Sequence, residues 1–223
     1  RVRHHECIKI KHMAKRILTS LFLISSVLAL RAQTPHDLRL KIQKSKADTD
    51  RVALLLQLAD YYVLKPGELK IDLDSAFDCL NQADQLSNAL HDITWQNKTL
   101  SSLGTYYFEK SDLVHGKACF LKLADYYHKK GDKVQEAWAW RTLGLNIPRN
   151  SDVNIAEKIK YFENAYKLYY KINNPERALD IRKQIADAHL NQGKYELAEN
   201  ELKNILQEYK EIGYKKLHYT YDL

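Results

Sequence analysis

The sequence predicts an all-α fold built from repeated helix–turn–helix units. Glycine and proline are scarce, at 7 and 4 of 223 residues, which disfavours a turn-rich β protein and suits helices joined by short links. Apolar residues recur at helical spacing over long stretches of the chain. One unit, a helix, a turn and a second helix, returns about every 40 residues, which is the signature of a helical repeat architecture.

The first part of the chain has the features of an export signal. Met13 is followed by Lys15 and Arg16, and residues 17–30 are uncharged and mostly apolar. This run is shorter than the roughly 20 residues that a membrane span requires, but it fits the core of a signal peptide. We therefore expect a signal peptide at residues 13–32, cleavage after Ala32, residues 1–12 untranslated or disordered, and a periplasmic location. An uncleaved membrane anchor is the alternative.

The charge balance argues against nucleic acid as a partner. The chain carries a formal charge of +7, but residues 1–32 contain seven Lys or Arg and one Glu, which leaves +1 for residues 33–223. A protein that binds a phosphate backbone needs a basic surface on its folded part. We expect no nucleic-acid partner, although a local basic patch remains an alternative.

Residues 51–223 contain about four copies of the unit and the start of a fifth, after a polar lead-in at residues 33–50. In the first helix of each of the four complete copies, a Leu or Ile is followed directly by a small residue. The clearest copy spans residues 184–209 and turns at residues 192–194, whereas residues 65–68 interrupt the first copy. The small residues are expected to let two helices approach closely: Ala59, Gly104, Gly144 and Ala186. The anchors are Leu58, Leu103, Leu143, Ile185 and Leu223, with spacings of 45, 40, 42 and 38 residues, which predicts loops of variable length.

Two stretches resemble the tetratricopeptide repeat (TPR) signature. Residues 140–144, Trp-x-x-Leu-Gly, match the opening of W-x2-L-G-x2-Y, and residues 100–107 keep its Gly and Tyr. The second helices at Ala76 and Ala198 resemble the A-x3-F part, although the period exceeds the usual value of about 34 and the closing proline is out of register. The resemblance implies a right-handed α-solenoid of TPR-like repeats. HEAT and armadillo repeats are the alternative.

The TPR resemblance also implies a binding groove lined by the first helix of each copy. Such a groove would receive a protein or peptide segment in extended or helical form. Trp138 is the most suggestive groove residue, because it points to a different side of its helix from Trp140. Ordinary solvated surface is the alternative for each residue singly. Carried over by register, the groove residues are Asp60, Lys98, Ser101, Thr105, Trp138, Arg141, Lys183, Asp187 and Asn191.

The sequence contains no recognisable catalytic or metal-binding motif. The histidines after the leader are not spaced to share a helix face, and glycine-rich phosphate loops are absent. His189 occupies an aromatic position of the repeat and is expected to pack in the core. Cys79 and Cys119 are expected to be two buried thiols rather than a disulfide. We expect a non-enzymatic protein without cofactor or metal.

A narrower resemblance concerns the leader, residues 61–68 and 72–76, Gln192-Gly193, Tyr209-Lys210 and residues 217–223. Together they are similar to the extracytoplasmic TPR sensor region of certain bacterial membrane histidine kinases. That resemblance implies a fragment of a signal-transduction protein that would reach the membrane through a missing C-terminal region or an uncleaved leader. A free-standing exported TPR adaptor for envelope assembly and, from another class, a glycan-processing enzyme with a repeat-built site are the alternatives.

Overall fold

A computed structural model describes residues 34–67 and 69–214, and this part of the chain is helical without any strand. The prediction of an all-α fold is therefore confirmed. The expected signal peptide at residues 13–32, residues 1–12 and the start of a fifth copy at residues 220–223 lie outside the described residues. The helices are α1 (Pro35–Lys44), α2 (Thr49–Val63), α3 (Lys70–Ala89), α4 (Ile93–Glu109), α5 (Leu113–Lys130), α6 (Lys133–Asn146), α7 (Asp152–Lys171), α8 (Pro175–Asn191) and α9 (Tyr195–Glu211).

The contacts divide the chain into two compact units between Lys44 and Ser45. The first unit contains the short helix α1, which lies in the polar lead-in. The second unit contains α2 to α9, the helices of the four predicted copies. No helix in the described ranges is long and apolar enough to cross a membrane.

Most of these helices begin at a side chain that accepts hydrogen bonds from the first turn. Asp92 accepts from the amides of Thr94 and Trp95 at the start of α4, at 3.0 and 3.2 Å. Such caps satisfy amide donors that have no partner inside the helix. The same role belongs to Asp48, Asp112, Asp132, Ser151 and Asn174.

Many of the helices end at a residue with left-handed backbone. At Gly193, φ is 72°, and the amide of Lys194 then donates to the carbonyl of His189 at 3.0 Å. This closure satisfies carbonyls at the end of α8 and turns the chain within three residues. The turn predicted at residues 192–194 is confirmed. Left-handed residues in equivalent places are His91, Ser111, Gly131, Asn173 and Gly213.

Each helix from α2 to α9 packs against the next one in the chain, and α2 also contacts α4. The short connections make neighbours antiparallel, so that the predicted pairs are α2/α3, α4/α5, α6/α7 and α8/α9. The two longer connections, residues 64–69 and 147–151, lie inside the first and third pairs. They account for loops of variable length.

Two glycines mark close contacts between the helices of a pair. A Cβ added to Gly104 would lie 2.6 Å from Cε2 of Phe120, and one added to Gly144 would lie 2.5 Å from Cδ1 of Phe162. In both cases a glycine of the first helix receives an aromatic ring of the second helix. The expected close approach is confirmed at these two positions.

The core runs along the stack as overlapping clusters of buried side chains. Phe120, Leu143 and Tyr161 belong to a cluster formed by α4 to α7, and the next cluster joins α6 to α8 around Phe162 and Ile181. A third joins α8 and α9 through Leu179, Ile205 and Tyr209. Each cluster buries a face that its helices could not bury alone.

Several details differ from the sequence interpretation. The acids Asp72 and Asp74 favour a helix that starts near Ser75. Helix α3 instead begins at Lys70, and Asp72 in its first turn accepts hydrogen bonds from Lys65 at 2.9 and 3.0 Å. Tyr107 is only half-buried, whereas its neighbours Tyr106 and Phe108 are buried. In the first helix of the second copy, the buried aromatic residues are therefore the ones directly before and directly after the Tyr107 of the signature.

Candidate functional site

The described part of the chain has a pocket of about 550 Å³ lined by helices α2, α4, α5 and α6, which we call the groove pocket. Helix α2 contacts α4 directly, so that the first helices of the first two pairs form one continuous wall. Four of the nine predicted groove residues meet there: Asp60, Lys98, Ser101 and Trp138. The complete lining is Leu56, Asp60, Thr94, Asn97, Lys98, Ser101, Ser102, Tyr126, Tyr127, Gln135 and Trp138.

One wall of the groove pocket is aromatic. Trp138, on α6, is half-buried and lies against Phe120, with 5.6 Å between ring centroids. Tyr126 and Tyr127, at the end of α5, form an edge-to-face pair with centroids 5.3 Å apart. These rings offer an apolar surface to a bound side chain while the hydroxyls remain near water.

The opposite wall is polar and comes mainly from α4. Asp92 caps this helix and so fixes its first turn, in which Thr94 lies. Asn97 and Ser101 follow at helical spacing along the same face, and both line the pocket. Amide and hydroxyl groups of this kind can bond to the backbone of a bound polypeptide.

Asp60 lies on the last full turn of α2 and is the acid of the pocket lining. Its side chain is accessible to solvent, yet the surrounding atoms desolvate the carboxylate enough to raise its pKa above the ordinary value. A hydrogen bond with the side chain of Ser102 opposes that rise. Desolvation is the larger of the two effects. It raises the pKa because loss of water disfavours the charged form of the acid.

Lys98 is the base of the lining, and its charge is already engaged. Its Nζ lies 3.9 Å from the centroid of the Trp95 ring, one helical turn before it. A cation over an indole face at this distance is attracted by the ring quadrupole. A contact within α4, between Lys98 and Trp95, therefore fixes where the Lys98 ammonium lies in the pocket lining.

The other five predicted groove residues lie outside this pocket. Asp187 pairs with Arg149, with 2.8 Å between Oδ2 and Nη2. Asn191 donates from Nδ2 to the carbonyl of Asp187 at 2.6 Å, and Thr105 donates to the carbonyl of Ser101 at 3.2 Å. The remaining two, both half-buried, are Arg141 and Lys183.

Sequence reasoning missed the contribution of second helices to the pocket. Tyr126 and Tyr127 belong to α5, a second helix, whereas the register carried over from the family includes only first helices. Gln135, Asn97 and Ser102 were also missed. The adjacent Tyr pair near the end of a second helix was the available signal, since two rings in succession cannot both face the core.

Two of the histidines pair with an acid of the neighbouring helix. His189 is largely buried between α8 and α9, and its Nδ1 lies 2.8 Å from Oε2 of Glu201. His128 and Glu136 pair at 3.1 Å beside a second pocket of about 480 Å³ between α5, α6 and α7. Across residues 34–67 and 69–214, no group of three or more His, Cys, Asp or Glu is arranged to hold a metal ion.

Lys158 is a buried cation that the sequence interpretation did not single out. It is 2% exposed and donates from Nζ to the carbonyls of Gly144, Leu145 and Ile147 at 2.6, 3.3 and 2.9 Å. Burial lowers the pKa of Lys158 to about 8, and the nearby charge of Arg149 acts in the same direction. A cation at these carbonyls suits the negative end of α6.

Both cysteines of the described region are buried thiols, Cys79 on α3 and Cys119 on α5. Burial raises the pKa of Cys119 to about 11, so that its reactive thiolate is disfavoured at neutral pH.

No protein-family model and no curated protein matches this chain. The candidate site therefore rests on the geometry of the groove pocket and on the repeat pattern.

Proposed function

We propose that this chain is a non-enzymatic, TPR-like right-handed α-solenoid that binds a segment of a partner protein in the groove pocket. The observation that carries the proposal is the composition of the pocket: the first helices of three successive pairs, α2, α4 and α6, all line it. In a TPR protein the first helices form the binding groove. A pocket built from them is therefore where such a partner would be held.

The packing inside the pairs supports the TPR-like assignment. In the second and third pairs, a glycine of the first helix, Gly104 or Gly144, faces an aromatic ring of the second, Phe120 or Phe162. The spacing between each glycine and its ring is 16 and 18 residues. A recurring contact of this kind is expected of a repeat and not of a bundle with unrelated pairs.

The chemistry of the two walls suits a polypeptide. The polar wall of α4 offers hydroxyl and amide groups that can bond to peptide N–H and C=O groups. The aromatic wall of Trp138, Tyr126 and Tyr127 offers a large apolar surface with few rotatable bonds, which is typical of residues that dominate binding energy. A glycan-processing activity would require several clustered acids, and the pocket lining holds one, Asp60.

We further propose that the chain is the periplasmic sensing module of a signal-transduction histidine kinase. This part rests on the sequence resemblance, and a free-standing exported adaptor is the other candidate. The genomic sequence distinguishes them. A reading frame that continues past codon 223 into a transmembrane segment and a kinase domain supports the sensor, whereas a stop codon there contradicts it.

Binding is tested by selecting random 12-residue peptides, displayed on phage, against the immobilised full chain. Selected peptides should lose at least tenfold in affinity for a Lys98→Ala/Trp138→Ala variant, measured by calorimetry, because both walls are then altered. Far-UV circular dichroism must show that this variant stays helical. Lys122→Ala, at an exposed position of α5, is the matched control and should bind normally. Equal affinity for the groove variant and the control would refute the groove assignment.

A further inference from the structure

We infer that the segment bound in the groove pocket presents a lysine or arginine side chain, whose cationic head binds Asp60 and whose stem lies along the aromatic wall. This inference rests on the proposed function, since it names the chemistry of the partner for the same pocket. It goes beyond that proposal because it commits to one charge at one end of the pocket.

The carboxylate of Asp60 has a neutral hydrogen-bond partner. Among the described residues, its hydrogen bond is to the neutral side chain of Ser102, and no ion pair joins it to a Lys, Arg or His. Lys98, the base of the lining, is held over Trp95 instead. Within the part of the chain that the structure describes, the Asp60 carboxylate is therefore not in an ion pair, and the cationic Lys98 of the same lining contacts Trp95.

The environment of this carboxylate favours a cation from outside. The pocket atoms withdraw water from Asp60, so that its charged form is disfavoured and its pKa is raised. An incoming cation would form a charge-assisted hydrogen bond with this solvent-accessible carboxylate, and the surrounding pocket atoms strengthen that bond by displacing part of the carboxylate's hydration. A negatively charged segment would instead be repelled at this end of the pocket.

The aromatic wall fits the rest of such a side chain. Lys and Arg place long apolar stems on apolar surface while the charged head reaches a polar partner. Arg also stacks on aromatic rings, and both cations are attracted to the ring face. Within the chain itself, the Nζ atom of Lys130 lies 5.9 Å from the ring centroid of Tyr126, which is a contact of the same chemical kind outside the pocket lining.

The experiment starts from the tightest peptide of the phage selection described above. Each Lys or Arg of that peptide is replaced by Gln, one at a time, and dissociation constants are measured by calorimetry. We expect one replacement to weaken binding to the native chain tenfold or more and binding to the Asp60→Asn variant less than threefold. The affinity for the native chain should also fall more steeply with added NaCl than the affinity for Asp60→Asn.

The control is Asp78→Asn, which removes the same charge from an exposed position of α3 outside the pocket. It should behave like the native chain. If the selected peptides lose affinity for the Lys98→Ala/Trp138→Ala variant and yet contain no basic residue, or contain acidic residues only, the inference is overturned and the proposed function stands. Basic residues that matter equally for the native chain and for Asp60→Asn would also overturn it. A selection that enriches no peptide would overturn both.

Discussion

The close approach inside the third helix pair can be tested by placing a methyl group where Gly144 meets Phe162. A Cβ on residue 144 would lie 2.5 Å from two ring carbons of Phe162, whereas non-bonded carbons settle at about 3.5–4.0 Å. The ring or the helix must therefore move by about 1 Å. Overpacking of this kind costs about 1–3 kcal/mol.

The same substitution also has a favourable effect that must be separated. Alanine is better than glycine in a helix interior by about 1 kcal/mol. Gly144→Ala alone should therefore lower the free energy of unfolding by about 0–2 kcal/mol, which does not decide the question. In a Phe162→Leu background the methyl group has room, and the same change should be stabilising by about 0.5–1 kcal/mol.

The coupling free energy between the two changes is the decisive quantity. Helix propensity contributes equally in both backgrounds and cancels, which leaves a coupling of about 1–3 kcal/mol from the steric contact. Urea unfolding followed by far-UV circular dichroism measures all four proteins of the cycle. Gly144→Ala combined with Phe77→Leu on α3 is the mismatched control and should be additive. A Gly144/Phe162 coupling below about 0.5 kcal/mol would refute the packing argument.

Three further changes probe polar groups whose surroundings differ between the folded and the unfolded chain. The pKa of Lys158 is lowered to about 8, so the folded chain releases this proton at a lower pH than the unfolded chain. The free energy of unfolding should therefore rise between about pH 8 and 10. Lys158→Met should abolish this rise, as measured from urea midpoints, and an unchanged rise in the variant would show that Lys158 does not cause it. Tyr209→Phe removes a 2.7 Å hydrogen bond to Asp180 and should lower the free energy of unfolding by about 1.5–3 kcal/mol. Tyr170→Phe, at an exposed ring, should lower it by less than about 0.5 kcal/mol. Equal losses would show that the hydrogen bond to Asp180 is not stabilising. The pKa of Asp60 is raised in the fold, so its stabilising contribution is present at low pH and lost as pH rises through that pKa; Asp60→Asn should raise the melting temperature at pH 7 but not at about pH 3, where both side chains are neutral.

The helices and their order could be predicted from the sequence because each copy satisfies local rules. The apolar spacing, the Asp and Asn caps and the turn at Gly193 all act within a few residues. The break at residues 65–68 was also visible. The early start of α3 was not, and neither was the contact of Asp72 in its first turn with Lys65 on the other side of that loop.

The candidate site was only half accessible to such reasoning. Asp60, Lys98 and Trp138 were identified because first helices share a face when pairs stack. Tyr126 was missed because only first helices were carried over by register. The adjacent Tyr126 and Tyr127 indicate that one ring lies outside the core, but its place in the pocket is decided by how α5 lies against α6, which is a long-range contact. The pairing of Asp187 with Arg149, which engages a predicted groove residue, is likewise tertiary.

The hydrogen bonds from Lys158, on α7, to the end of α6 affect how these two helices unfold locally. Helices such as α4, α5 and α8 close their C-terminal ends with their own backbone through a left-handed residue. At α6, the carbonyls of Gly144 and Ile147 instead depend on an ammonium that arrives only with the following helix. The last turn of α6 and the body of α7 therefore form one cooperative unit, because neither can be exposed without leaving a buried cation or its acceptors unsatisfied. Hydrogen exchange in that turn should accordingly report the opening of the whole pair and not the fraying of a single helix end.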